Sequence, residues 1–396
     1  MKTFFKNQKD YLIKFLSDLV SQDTTNPPGN EYLAAKFVED EFNKLEIPYQ
    51  IHEKEKGRTN IIGQIGSKGP VIMLAAHLDV VPAGKGWDTP AFEPIVKGDR
   101  MWGRGSLDDK GLMASLMVIA KYLKSIENEL NITVLIAGVA DEETGSEYGM
   151  TYLADNNLIS PKPDYAIIPD NAGNMTEINI AEKGHLKVKV FSKGLQAHAM
   201  APHKGVNAIN HLARFLMELE KYKFKYEEHD LLDPPTLNVG IIEGGTVINS
   251  VPNEATAFLD IRYLPSQNVN DIISDFKAIV KKLQVKYQDL DIDIILESVS
   301  EPIALDPNNL IISTIKKEAK LFHGNDVKIT GMGGGTVCKD LMRNGTVALC
   351  FSAGDHEFYH QVNENISITE LIDYANIMAI VLTKLNNDNE FYGKSL

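Results

Sequence analysis

The sequence predicts an α/β protein with a mixed, largely parallel sheet flanked by helices and an inserted α+β, ferredoxin-like unit. Three observations predict it. Short, uninterrupted apolar runs (Val71 to Ala76, Ile132 to Ala140, Tyr165 to Pro169) alternate with helical patterns, as strands buried on both faces do. From about Ile178 the pattern changes, and Gly184 to Ser192 alternates polar and apolar residues like a half-exposed antiparallel strand. From about Pro302 the first character returns. The expected division is a discontinuous domain, 1–181 with 300–396, and an inserted one, 182–299.

In chain order, Lys6 to Ser21 and Glu31 to Leu45 carry apolar residues at helical spacing, separated by the loop TTNPPGN, where Pro and Gly break the period. Tyr49 to Glu53 and Asn60 to Ile65 read as strands, Val71 to Asp79 as the central one, and Trp87 to Gly98 as loop. Asp109 to Leu123 is apolar nearly all round, hence a buried helix. A short helix is expected over Glu147 to Asn156. The middle segment gives strand, helix (Val206 to Leu219), two strands (Thr236 to Ile242, Thr256 to Tyr263), helix (Val269 to Val285) and strand (Asp291 to Glu297), the order of a split βαβ unit. Helix Leu310 to Leu321, strands Asp326 to Thr330 and Val347 to Phe351, and helix Thr369 to Leu385 close the chain, and the tail Asn386 to Leu396 is polar and expected to be mobile.

Net charge is −14 over 396 residues, with 43% hydrophobic and 24% charged residues. That balance is ordinary for a globular protein and argues against nucleic acid or anionic lipid as a partner. Two cysteines, Cys338 and Cys350, make no disulfide framework, and neither a signal peptide nor a membrane-length apolar run is visible. A cytoplasmic location is expected.

Metal-type side chains stand at the ends of several strands, where ligands bind in open α/β sheets. His77 and Asp79 end the central strand, and a carboxylate beside an imidazole is how proteins orient a metal-ligating histidine. In GRGSLDDKG, glycines turn the chain tightly while Asp108 and Asp109 open a helix, a position that also suits an N-cap. Asp141, Glu142 and Glu143 directly follow an apolar strand, a cost unless something positive meets them. Asp170 follows the third strand, and His360 lies in GDHEFYHQVNE, where His356 competes with it. Together His77, Asp108, Glu143, Asp170 and His360 suit a pair of zinc-type cations sharing one carboxylate. The spare Glu142 suits a general base for a metal-bound water.

On these residues the chain resembles the M20 family of zinc peptidases and deacylases, which includes acetylornithine deacetylase, succinyl-diaminopimelate desuccinylase, aminoacylase and dipeptidases. The matching stretches, in the family's order, are HLDVVPAG, GRGSLDDKG, ADEETGS, the H-A-x-x-P-x-x-G-x-N-A stretch His198 to Ala208, GGTVINSVPNEA and HQVNE. The resemblance implies a zinc-peptidase catalytic domain with an inserted lid and dimerisation domain. It implies two zinc ions per subunit, replaceable by cobalt or manganese, on His77, Asp108, Glu143, Asp170 and His360, with Asp108 bridging, Asp79 orienting His77 and Glu142 as base. It further implies that His198 polarises the scissile carbonyl and that Asn249, Arg262, Gly334, Gly335 and Thr336 bind the substrate; the peptide at the place of Asp108–Asp109 is often cis in the family, which leaves its state in this chain open. The expected partners are a small substrate bearing a carboxylate and a second copy of the chain. The expected reaction is cleavage of the amide bond of a small N-acyl amino acid, or alternatively of a short peptide with a free amine. Asp170 leans towards the aminoacylases and peptidases, in which Asp is more usual there, whereas TTNPPGN is common in the deacetylase and desuccinylase-like members.

Two other classes compete. GMGGGT after a strand lacks the third glycine of a dinucleotide-binding GxGxxG and leaves the strand-end acids without a task. A dead binding protein on the same fold would have lost a ligand, and every ligand position is filled.

Overall fold

The computed structural model describes residues 1–171, 173–388 and 391. The chain divides into two compact units: Met1–Ile180 with Leu305–Thr330 and Thr336–Leu396, and Ala181–Ala304 with Gly331–Gly335. The inserted unit thus runs a few residues beyond 182–299 at both ends and takes in the glycine loop.

In the first unit, strands Thr133–Val139, Val71–His77, Tyr165–Ile168 and Val347–Cys350 are parallel and adjacent at the centre of the sheet. Every residue of Val71–His77 and Thr133–Val139 is buried, as their unbroken apolar composition demands. Thr59–Ile65 and Tyr49–Glu53 continue one side of the sheet antiparallel, and Glu177–Glu182 pairs antiparallel with Val347–Cys350 on the other. The helix Lys110–Ser125 lies on the strand Val71–His77, between the helices Lys9–Val20 and Ile368–Asn386. It must be apolar all round because each of its sides meets another element.

The central strand ends at His77, so Asp79 lies past it and not on its pleat. The stretch Trp87–Gly98, expected as loop, contributes the short strand Ile95–Lys97, which pairs with Arg100–Trp102 and through it with Asn365–Ser367. Strands of three residues are too short to show a period. The helix Cys338–Arg343 was likewise not foreseen. The last helix ends at Asn386, and most of the tail beyond it lies outside the described residues.

The second unit holds an antiparallel sheet in the order Thr236–Gly244, Glu254–Tyr263, Gly184–Lys193, Asp291–Ser300. That is order 2-3-1-4 by sequence, the arrangement of a split βαβ unit. Helices Ala208–Leu219 and Val269–Lys286 cover one face, closing a core around Val188, Phe215, Leu259, Ile261 and Phe276. Asn207 and Asn268 cap these helices through their side chains. Among the described residues, no helix is long and apolar enough to cross a membrane.

Candidate metal centre

The parallel strands deliver their chemistry at their carboxyl ends. His77 is the last residue of its strand and is buried. Its Nδ1 lies 3.0 Å from the main-chain oxygen of Asp79 and 3.5 Å from that residue's Oδ1. A carbonyl only accepts, so Nδ1 carries the proton, and Nε2 presents a lone pair on the far side of the ring.

Nε2 of His77 faces Oδ1 of Asp108 at 2.8 Å. The other oxygen of Asp108, Oδ2, stands 3.0 Å from Nε2 of His360, which is also 3.3 Å from Oε2 of Glu143. One buried carboxylate therefore divides its two oxygens between two imidazoles. Ring nitrogens and carboxylate oxygens at these distances need positive charge between them, supplied by a proton on the ring or by a cation in its place. Ligands about 2.0–2.1 Å from a tetrahedral zinc stand roughly 3.3 Å from one another; His360 and Glu143 have that spacing, and the two Asp108 contacts, at 2.8 and 3.0 Å, are shorter. Ligand atoms of His77, Asp108 and Glu143 fall within 4.8 Å of one another, as do those of His77, Glu142 and Asp170. Oε1 of Glu143 is buried without a hydrogen-bond partner. The donor set fits divalent cations.

The electrostatics agree. Burial opposes a charged His77, but the carboxylates of Asp108 and Asp79 overcome it and hold the ring well above its ordinary range. Hydrogen bonds that its ring N–H gives to the carboxylates of Asp108 and Glu143 push His360 up to about 10. Burial would raise Asp108, yet the two imidazoles outweigh it and bring the carboxyl well down. Glu142 moves the other way: burial, and then the charge of Asp170, raise its carboxyl well above the usual range. Two adjacent glutamates thus stand in different surroundings: Glu143 lies against His360, and Glu142 near His77 and Asp170.

Both glutamates sit on a single tight turn, Glu142–Thr144, between Asp141 at φ 62° and Gly145 at φ 112°. Asp79 holds this turn: its Oδ1 accepts the N–H of Glu142 at 3.1 Å and its Oδ2 the N–H of Glu143 at 3.2 Å. The acid expected to orient His77 therefore also fixes the acidic loop. Gly149, just beyond, has no room for a side chain, because a Cβ there would lie 1.7 Å from the carbonyl of Ala140.

Several buried residues of this site carried no signal that sequence reasoning used. The amide of Asn26 donates to Asp79 Oδ2 at 2.8 Å and to Asp141 Oδ1 at 2.9 Å. Arg58 grips Glu31 with two nitrogens and reaches Asp141 Oδ1 at 2.8 Å, and Glu31 Oε1 accepts the N–H of Asp141. The Tyr359 hydroxyl donates to Asp170 Oδ1 at 3.4 Å. Asp109 does not cap its helix with its side chain: Oδ2 accepts the His77 N–H at 3.2 Å. The Asp108–Asp109 peptide is cis, a state the resemblance leaves open.

His198, Asn249, Arg262, Gly334 and Gly335 belong to the second unit. His198 and Asn249 are exposed neighbours, joined by the bridge of His198 to Ser250 and by the Ala199 N–H on the Asn249 carbonyl at 3.0 Å. Arg262 engages Asp260 through Nε at 2.8 Å and Nη2 at 3.1 Å, and its Nη1 donates to the Gly333 carbonyl at 3.4 Å. His185, across the sheet register from Arg262, contacts the same Asp260 at 2.8 Å. Thr336, expected beside the glycines as a substrate contact, is buried in the first unit, where its hydroxyl accepts the Cys338 N–H at the start of a helix. A threonine just before a helix is a signal for such a role.

Comparison with known proteins accounts for this arrangement. A family model for a peptidase dimerisation domain matches residues 180–288, and one for peptidase family M28 matches residues 60–204. An uncharacterized metallohydrolase of Methanocaldococcus jannaschii is 31% identical, over 93% of this chain and 98% of its own. The chain belongs to the M20 family of metallopeptidases and deacylases. Among M20 relatives and similar folds, a Staphylococcus aureus protein described as a probable succinyl-diaminopimelate desuccinylase is 29% identical, over 95% of this chain and 97% of its own. The crystal structure of the aminopeptidase PepT from Bacillus cereus has the same fold, with a TM-score of 0.74 at 22% identity, covering 95% of this chain and 98% of that one. As an M20 protein the chain is a hydrolase that works with bound metal.

Proposed function

We propose that this M20 enzyme is a two-zinc amide hydrolase acting on a small N-acyl amino acid. The observation that carries the reading is the shared carboxylate of Asp108, with one oxygen 2.8 Å from His77 and the other 3.0 Å from His360. In this reading His77 and Asp170 complete one position beside Asp108, and Glu143 and His360 complete the other. Two zinc ions held there, or cobalt or manganese in their place, supply Lewis acidity that activates a water and stabilises an oxyanion.

The chain's residues do the rest. Glu142, raised by burial and Asp170, takes the proton of the attacking water and returns it to the leaving amine. Asp79 keeps Glu142 and Glu143 at fixed height by accepting both of their N–H groups. His198 accepts the Met200 N–H on Nδ1 at 3.1 Å, which leaves the ring proton on Nε2 as a donor for the scissile carbonyl. Arg262, Asn249 and the glycines at 334 and 335 bind the polar end of the substrate, and Arg262 offers a carboxylate the two-pronged fit it now gives Asp260. The second unit is proposed as the lid and the dimerisation domain. Its edge strand Thr236–Gly244 leaves Val239, Ile241 and Ile242 exposed, which supports pairing with a second copy.

A dipeptidase is the second reading. Asp170, where deacetylases and desuccinylases of the family commonly carry Glu and aminoacylases and peptidases more usually Asp, is compatible with it. Zinc-loaded enzyme tested on N-acetyl amino acids, N-succinyl amino acids and free dipeptides separates the two. Turnover of blocked substrates is expected, and activity confined to substrates with a free amine would overturn the deacylase reading.

A further inference from the structure

Glu364 ends the motif HQVNE and has no part in the chemistry above, yet it is one of the best-satisfied carboxylates in the first unit. It is fully buried. Its Oε1 accepts the N–H of Leu107 at 2.7 Å and of Asp108 at 3.0 Å. Its Oε2 accepts the N–H of Gly105 at 3.1 Å and Nη1 of Arg104 at 2.6 Å. Its main-chain oxygen accepts the N–H of Gly103 at 3.0 Å. Five donors of the segment 103–108 thus close on one residue. Burial pushes the Glu364 carboxyl up, and Arg104, 2% exposed, is the counter-charge that most opposes this. The guanidinium is stacked 5.3 Å above the Trp87 ring.

The consequence concerns spacing. Asp108 must aim its two oxygens in two directions, so its main chain has to be held, and its N–H is held by Glu364. His360 is four residues before Glu364 and takes a left-handed backbone, φ 57°, so the stretch between them is a tight turn and not a helix or strand. One carboxylate therefore ties the loop bearing the bridging ligand to the loop bearing His360, although the two lie far apart in sequence.

We propose that Glu364, paired with Arg104, is a positioning residue that sets the span from Asp108 to His360 and thereby the affinity of the second cation position, the one formed by Asp108, Glu143 and His360. This rests on the two-cation reading. Such outer partners change metal affinity or activity by about tenfold to a hundredfold.

The test compares wild type with Glu364→Gln, which keeps the shape but turns an NH2 group towards donors. Zinc per chain is measured after equilibration in buffered zinc, alongside the absorption of the cobalt-substituted protein, thermal unfolding of the metal-free form, and kcat and KM. Wild type is expected to hold two zinc ions. Glu364→Gln is expected to hold one at the same free zinc, with an altered cobalt spectrum, kcat down at least about tenfold, KM little changed, and partial rescue by excess zinc. Metal-free Tm is expected to fall as well, because the buried Arg104 loses its counter-charge; the positioning role is read in the zinc affinity of the folded protein, which a purely structural role would leave unchanged. A wild type with one zinc would overturn the two-cation reading itself. Wild type and Glu364→Gln both holding two with equal affinity would overturn only the positioning role. If Glu364→Gln does not fold, Arg104→Lys, which keeps the charge and loses the fork, is read on the same scale. It should weaken the second zinc, and unchanged affinity would sink the proposal.

Discussion

The chemistry-bearing residues of the two units are held in opposite ways. In the first, His77, Asp79 and Asp108 are buried, and main-chain donors pin the acids: two N–H groups on Asp79, and Glu364 holding the N–H of Asp108. In the second, His198 and Asn249 are exposed on a turn, and Arg262 is held by a neighbour on its own strand. Buried acids at such close quarters repel and need fixed partners, whereas groups that meet a substrate must be free of stronger partners until it arrives. The difference teaches where change is tolerated. Under the proposed function, reaction class rests on the first unit and substrate choice on the second.

The largest expected effect breaks the first side of this comparison. Glu142→Ala should lower kcat by about a hundredfold to ten-thousandfold with zinc content unchanged, because the five proposed ligands His77, Asp108, Glu143, Asp170 and His360 all stay in place. Metal analysis beside steady-state turnover checks it, and an active variant would refute the base. The same residue sets the pH dependence. A base works only when deprotonated, so activity falls as pH drops through its pKa. Burial and Asp170 raise that value, so the acid limb of kcat/KM should lie above the roughly 4.3 of an ordinary glutamate. A limb at the ordinary value would contradict the assignment.

His198→Ala tests the other side. An exposed donor to an oxyanion is worth about a hundredfold to a thousandfold in kcat. Its loss should leave zinc content and Tm alone, since the ring's one recorded partner is the nearby Met200 N–H. A fall in zinc per chain would show that this histidine serves the metal centre and would remove the contrast between the units.

Legibility in the sequence follows the same division. Val71–His77, Thr133–Val139 and the helix Lys110–Ser125 were readable because burial on all sides leaves unbroken apolar runs. The ligating side chains were readable because acids and imidazoles directly after such strands have few structural reasons to be there. What stayed hidden acts through the backbone. Glu364, Asn26 and Glu31 matter through N–H groups and carboxylates far off in the chain, and a polar residue in a loop looks the same whether it is solvated or buried. Thr336 shows a second role that stayed hidden. Beside three glycines it reads as part of an anion cradle, and its hydroxyl also accepts the Cys338 N–H at the start of the helix Cys338–Arg343.

The smallest effect belongs to Asn26, and it sharpens the comparison because it touches no ligand of the metal centre. Its amide bridges Asp79 and Asp141, the two acids at the base of the Glu142–Glu143 turn. Asn26→Ala leaves both carboxylates short of a donor in a buried place, a cost of roughly 1–3 kcal/mol in stability. The turn keeps Arg58 and Glu31, so it should loosen and not collapse, and kcat should fall by about tenfold to a hundredfold. Thermal unfolding and turnover should therefore change together in Asn26→Ala, whereas in His198→Ala turnover changes alone. If Asn26→Ala lost stability but kept full kcat, the turn would hold its glutamates without the amide, and pinning by buried partners would not be what separates the two units.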